Sequence, residues 1–197
     1  MSIRIAQDEA ADELLSRCPL ALLVGMLLDQ QIGMEVAFRG PAKLHERLGH
    51  LDAATIAAMD PEAFGAVMAA TPAVHRFHAS MGQRVQAMCR VIADDYGNDA
   101  AQLWTGVGTG KELLVRVKAL PGFGDQKARI FVALLGKQLA VRPTGWREAA
   151  GTYGDAQLRS VADVTSQETL LKVRAFKQAA KAEAKRSRIP GLASHQA

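Results

Sequence analysis

Within Leu120–Ala140 (LPGFGDQKARIFVALLGKQLA) the residues are of the kind that hold an anion by backbone alone. Gly122 and Gly124 permit a very tight turn and leave amide hydrogens unshielded, and a helix opening behind them adds positive potential. Lys127 and Lys118 stand close enough in sequence to add charge to a phosphate seated there. A second polar cluster, Asp29-Gln30-Gln31, ends the apolar run LALLVGMLL. Polar amides at the tip of a buried helix either satisfy neighbouring backbone groups or face a cleft. Carboxylates available for acid–base work or for stabilising a cation are Asp29, Glu148 (one helical turn beyond Thr144) and Asp155. Each also has an ordinary role, as a helix-end, first-turn or turn acid. His75 and His78 share no third ligand at useful spacing, so no metal site is expected. Thr105–Lys111 (TGVGTGK) is not a nucleotide-binding loop: the first Gly and the Ser/Thr after the Lys are missing, and no strand precedes it.

The elements that would carry these groups read as helices throughout. Thr109–Ala119 is predicted as a short helix with Thr109 and Glu112 as a capping box. Pro121 stops it, and Asp125 is expected to cap a second helix with Ala128, Phe131, Val132, Leu135 and Leu139 inward. Helices are also predicted over Asp8–Arg17, Leu20–Gln31, and Met34–Leu48 with a kink or break at Gly40-Pro41. Further short ones are read at Thr55–Met59, from Asp60-Pro61 to about Ala70, and at Asp155–Val161. Ala73–Tyr96 is the longest, with Phe77, Met81, Met88, Val91 and Ile92 inward and Arg84 and Arg90 outward. Thr165–Glu168 is read as a capping box starting the last helix, whose basic residues Lys172, Arg174, Lys177, Lys181, Lys185, Arg186 and Arg188 outnumber the acid Glu183.

Leu120-Pro121-Gly122-Phe123-Gly124, with Lys127-Ala128 two residues on, resembles the hairpin of the helix-hairpin-helix (HhH-GPD) superfamily of DNA glycosylases. Leu27-Leu28-Asp29-Gln30-Gln31-Ile32 is similar to a second segment of that superfamily, in the correct order along the chain. The resemblance covers roughly residues 20–154. It implies an all-α, two-lobed fold, read as one domain over residues 1–188, with a DNA cleft between the lobes; residues 189–197 are expected, from their own sequence, to be a disordered tail. It implies that the hairpin backbone around Leu120, Gly122, Phe123, Gly124 and Lys127 grips double-stranded DNA, with a monovalent cation allowed at the turn carbonyls. By the same resemblance, Gln30 or Gln31 would fill the gap left by a flipped nucleotide. Three family positions carry other residues: the usual catalytic Asp falls on Thr144, the Schiff-base Lys on Gln126, and an acid of adenine-specific members on Met26. Glu148 and Asp29 are therefore the candidate catalytic carboxylates. The four-Cys loop of some relatives is absent, so no iron–sulfur cluster and no other cofactor is expected.

Composition agrees with a helical, polyanion-binding protein. Of 197 residues 49% are apolar and only 5% aromatic, with net charge +4 and pI near 9.3. Cys18 and Cys89 are expected as reduced thiols; Met1–Ala10 lacks the apolar core of a signal peptide, so none is expected, and no apolar run reaches membrane-spanning length. A cytoplasmic monomer, nucleoid-associated when bound to DNA, is the expectation. Three functions stay open at this point. The first is a monofunctional glycosylase, suited to alkylated bases because these leave most readily. The second is a DNA-lesion or DNA-structure binder without chemistry, and the third a helical interaction module in which the hairpin is only a turn.

Overall fold

Asp8 opens the first helix, α1 (Glu9–Arg17), by accepting the Ala11 N–H on its carboxylate. Cys18-Pro19 ends it and starts α2 (Pro19–Leu28), where nine of ten residues are buried. Each fully buried Leu of that run contributes about 1.5–3 kcal/mol, so α2 is the apolar axis on which the neighbouring helices pack. The computed structural model that gives this arrangement describes residues 3–187; the expected tail at 189–197 lies outside the described residues. Among the described residues the fold is all-α, with one isolated backbone bridge, Thr109 to Thr144, in place of any sheet. No helix among them is long and apolar enough to cross a membrane.

The helices that follow are α3 (Met34–Leu48), α4 (Ala53–Ala58), α5 (Pro61–Ala69), α6 (His78–Asp95), α7 (Gly110–Lys118), α8 (Asp125–Gln138), α9 (Trp146–Ala150) and α10 (Gln167–Ser187). One packing set joins α1, α2 and α3, with α4 and α5 on α6; the other joins α7, α8 and α9 with the 3-10 turns after them, and α10 leans on the last of these. Both sets share a single apolar core, in which Phe38, Phe64 and Phe131 are fully buried.

Several local expectations need correction. α3 runs unbroken through Pro41, which is buried, so the core packing of that turn outweighs the missing N–H. α6 begins at His78 rather than Ala73, because the Phe77 N–H is taken by His75 Nδ1 (3.0 Å). Phe77 is accordingly exposed, whereas Met81, Met88 and Ile92 are buried as expected. Residues 155–160 are not helical; only Val161–Asp163 forms a 3-10 turn, closed by a Ser160/Asp163 capping box. The cap of α10 is Ser166 with Thr169, not Thr165 with Glu168.

Candidate functional site

The hairpin is a β-turn made by Leu120 to Phe123, with the Phe123 N–H on the Leu120 carbonyl at 3.1 Å. Gly122 takes φ +83°, a conformation open to glycine and strained for other residues. Leu120 and Phe123 are both 3% exposed, and Phe123 meets Phe131 edge-on at 5.9 Å between ring centres. Their side chains therefore hold the turn against the core, and only the exposed backbone of Gly122 and Gly124 faces outward. Gly124, not Asp125, is the N-cap of α8, and no side chain caps that helix. Its first N–H groups are left for an external acceptor.

Asp125 instead binds Lys118 Nζ (2.8 Å) and Arg129 Nε (2.7 Å), and both cations hold its carboxyl below its usual range. Lys118 is thus already paired. Lys127, expected beside a bound phosphate, turns the other way. Its Nζ donates to the carbonyls of Met26 (2.6 Å), Leu27 (3.0 Å) and Asp29 (3.4 Å), committing all three of its hydrogens to the end of α2. No basic residue of α2 itself occupies that helix's last turn, so Lys127 supplies the cation that the helix dipole favours there. Burial lowers its ammonium to about 8, partly opposed by Asp29.

These hydrogen bonds join two segments about a hundred residues apart in sequence. A side chain at Gly122 would strike Leu27 Cδ1 at 2.4 Å, so the hairpin lies directly against the turn that leads into Asp29-Gln30-Gln31. From the opposite side His75 and Arg84 brace the same loop. His75 Nε2 lies 3.0 Å from the Gln30 carbonyl while its Nδ1 accepts from Phe77, an arrangement that calls for the neutral Nε2–H tautomer. Burial lowers the His75 pKa in the same direction. Arg84 Nη1 donates to Gln30 Oε1 (2.9 Å), and Gln30 Nε2 donates to the Leu27 carbonyl (2.7 Å). Gln30 is therefore tied into the scaffold. Gln31 has φ +58°, is exposed, and its side chain makes no hydrogen bond among the described residues. Of the pair, Gln31 has the free amide.

A cleft of about 610 Å³ opens beside this junction, in the size range of small-molecule sites. Asp29 and Gln31 line it from the α2–α3 loop, Gln126 and Lys127 from α8, Tyr153 from the segment after α9, and Lys177 from α10. Gln126 donates Nε2 to the Tyr153 hydroxyl at 2.9 Å. Asp29 is enclosed enough for desolvation to raise its carboxyl above the usual range, against the charges of Lys177 and Lys127; Glu35 adds to the rise. The other candidate carboxylate is elsewhere. Glu148 is exposed in the first turn of α9 and does not line the cleft. Thr144 is exposed as well; its N–H binds the Gly108 carbonyl (3.1 Å) and its carbonyl accepts from the Gly110 N–H (2.8 Å). Trp146 is buried and packs on Gly136, so it is unavailable to stack on a base. Arg90, expected to point outward, donates to the Ala57 carbonyl at the end of α4.

Sequence reasoning found the two motifs but not the walls that complete the cleft. Tyr153, Arg159 and Phe176 carry no local signal, since their roles arise only where α10 and the segment after α9 meet α8. Among the described residues there is no group of three or more His, Cys, Asp or Glu side chains that could hold a metal ion.

A family model described as "HhH-GPD superfamily base excision DNA repair protein" matches residues 24–190 of the chain. The match spans the Gln30-Gln31 loop, the hairpin and the cleft between them. Neither the curated proteins nor the solved structures compared with this chain gave a match.

Proposed function

Since the chain belongs to the HhH-GPD superfamily of base excision DNA repair proteins, we propose that it grips double-stranded DNA through the backbone of Gly122, Gly124 and the first turn of α8, and acts there as a monofunctional DNA N-glycosylase. A damaged nucleotide turns out of the helix into the 610 Å³ cleft, and Gln31 enters the space it leaves. Water adds to the sugar C1′ and loses a proton as the bond from C1′ to the base nitrogen breaks, the electron pair of that bond leaving with the base. A neutral base takes up a proton as it departs; a cationic alkylated base departs neutral and the proton from water goes to solvent, and in both cases an abasic sugar remains. Asp29 is the group we assign to stabilise the developing sugar cation, because its carboxyl lines the cleft and Glu148 does not. Alkylated bases need the least help to leave, which suits a site whose family Asp position holds Thr144. The observation that carries this reading is the meeting of hairpin and Gln31 loop around a cleft containing an enclosed carboxylate.

A second reading has its own support. Gln126 is an amide bonded to Tyr153, Lys127 is fully engaged with carbonyls, and Thr144 is neutral, as a binder that senses lesions without chemistry would require. Duplexes each carrying one lesion, incubated with the protein and then treated with hot alkali, separate the two. Strand scission at a lesion marks a glycosylase. Asp29→Asn should lower it at least about a hundredfold and Glu148→Gln should leave it unchanged. Because desolvation raises the Asp29 pKa, the abasic yield should climb with pH through a midpoint above 3.8. Intact strands together with salt-sensitive retention of the duplex would favour the binder. Equal activity in Asp29→Asn would remove Asp29 from the mechanism.

A further inference from the structure

α10 carries charge that the cleft does not use. Its first half is fastened: Leu170 and Val173 are buried, Arg174 pairs with Glu35, and the Arg159 guanidinium lies 5.4 Å from the Phe176 ring centre. Residues 178–186 are exposed on every side. Lys177, Lys181 and Lys185 follow one another at four-residue steps, so they fall within about 80° of the helix and run about 12 Å along it. Glu183, the acid of this stretch, sits about 200° round from Lys181 and off the stripe. At the start of α10 the helix neutralises its own charge, with Glu168 four residues before Lys172 and ion-paired to it. Farther on that pairing stops: Lys181, Lys185 and Arg186 have no acidic partner among the described residues. Lys177 belongs both to the stripe and to the cleft wall. A strand whose nucleotide enters the cleft would leave it past these three ammonium groups.

We propose that the Lys177–Lys181–Lys185 stripe is a second DNA-binding surface, which takes backbone phosphates of the strand feeding the cleft and is separate from the hairpin. The inference rests on the DNA-binding part of the proposed function. Lysines at four-residue steps neutralise phosphates rather than read base edges, so binding there is independent of sequence and strongly dependent on salt.

The test is the salt dependence of binding by the full chain to a 20-base-pair duplex with one central tetrahydrofuran abasic analogue, followed by fluorescence anisotropy between 50 and 200 mM NaCl. Replacing Lys181 and Lys185 together by Gln should flatten the slope of log K against log salt by about 2, near 0.9 for each phosphate that is no longer neutralised. Replacing both by Arg (Lys181→Arg, Lys185→Arg) should keep the slope. Lys111→Gln on the exposed face of α7 gives the effect of net charge alone. An unchanged slope in the double Gln variant, with binding otherwise intact, would overturn the inference and leave the hairpin reading standing. So would a flattening per charge no larger than that of Lys111→Gln. Failure of the wild-type chain to bind any duplex, even at 50 mM salt, would sink the DNA reading and this inference with it.

Discussion

Lys127→Met tests whether the Lys127 ammonium is as enclosed as its three carbonyl partners imply. In the unfolded chain this lysine titrates near 10.5, and in the folded protein near 8. Below pH 8 both states carry the proton, and the fold bears the full cost of keeping the charge out of water. Between 8 and 10.5 the folded state releases the proton while the unfolded state keeps it, so stability rises with pH. At about 1.4 kcal/mol per pH unit the gain across that interval is roughly 3 kcal/mol. Cys89 acts in the opposite sense: burial pushes its thiol up to about 12, so stability falls once the unfolded thiol ionises near pH 9. The wild-type curve alone is therefore a sum of opposing contributions. Subtracting the Lys127→Met curve removes Cys89 and leaves the lysine. With a urea m-value of about 2 kcal/mol/M, the wild-type midpoint should gain about 1.5 M on the variant between pH 8 and 10.5. Midpoints that move in parallel across this interval would refute the burial argument, whichever protein is more stable at pH 7.

Two more substitutions probe the junction. Gly122→Ala combines a strained φ of +83° with a Cβ placed 2.4 Å from Leu27 Cδ1, and should lose about 2–4 kcal/mol in chemical denaturation together with duplex affinity. Gln31→Ala should leave stability within about 0.5 kcal/mol yet weaken retention of lesion-bearing duplex, whereas Gln30→Ala, which breaks the bonds to Arg84 and Leu27, should cost about 1–2 kcal/mol. Equal stability losses at 30 and 31 in thermal melts would contradict the division of roles.

The hairpin and the long apolar helix were legible because their signals are local. Pro121, Gly122 and Gly124 punctuate the chain, and a period of 3.6 residues marks α3 and α8. What the sequence concealed depends on partners far along the chain. Nothing near Lys127 indicates that its amine goes to Met26, Leu27 and Asp29, and nothing near Ala73 shows that a histidine ring will claim the amide that would have continued a helix. Asp29 could be picked out as adjacent to a polar loop, but that it lines the cleft while Glu148 does not is set by tertiary structure, where Lys127 of α8 reaches the end of α2. Capping differs from expectation at Asp125 because its carboxylate is taken by Lys118 and Arg129, leaving α8 without a side-chain cap, and at Thr165 because Ser166, one residue on, finds the Thr169 hydroxyl and amide.

The bridge between Thr109 and Thr144 has a consequence for how this chain can drift. Position 144 is held by its own amide and carbonyl alone, at Gly108 and Gly110, while its side chain stands in solvent. Gly110, by contrast, is pinned by shape: a Cβ there would lie 2.5 Å from Trp146 Cα. Selection for folding therefore guards the glycine and ignores the residue facing it. A carboxylate at 144 could be gained or lost across generations with little change in stability, so chemistry is the only pressure that would keep one there.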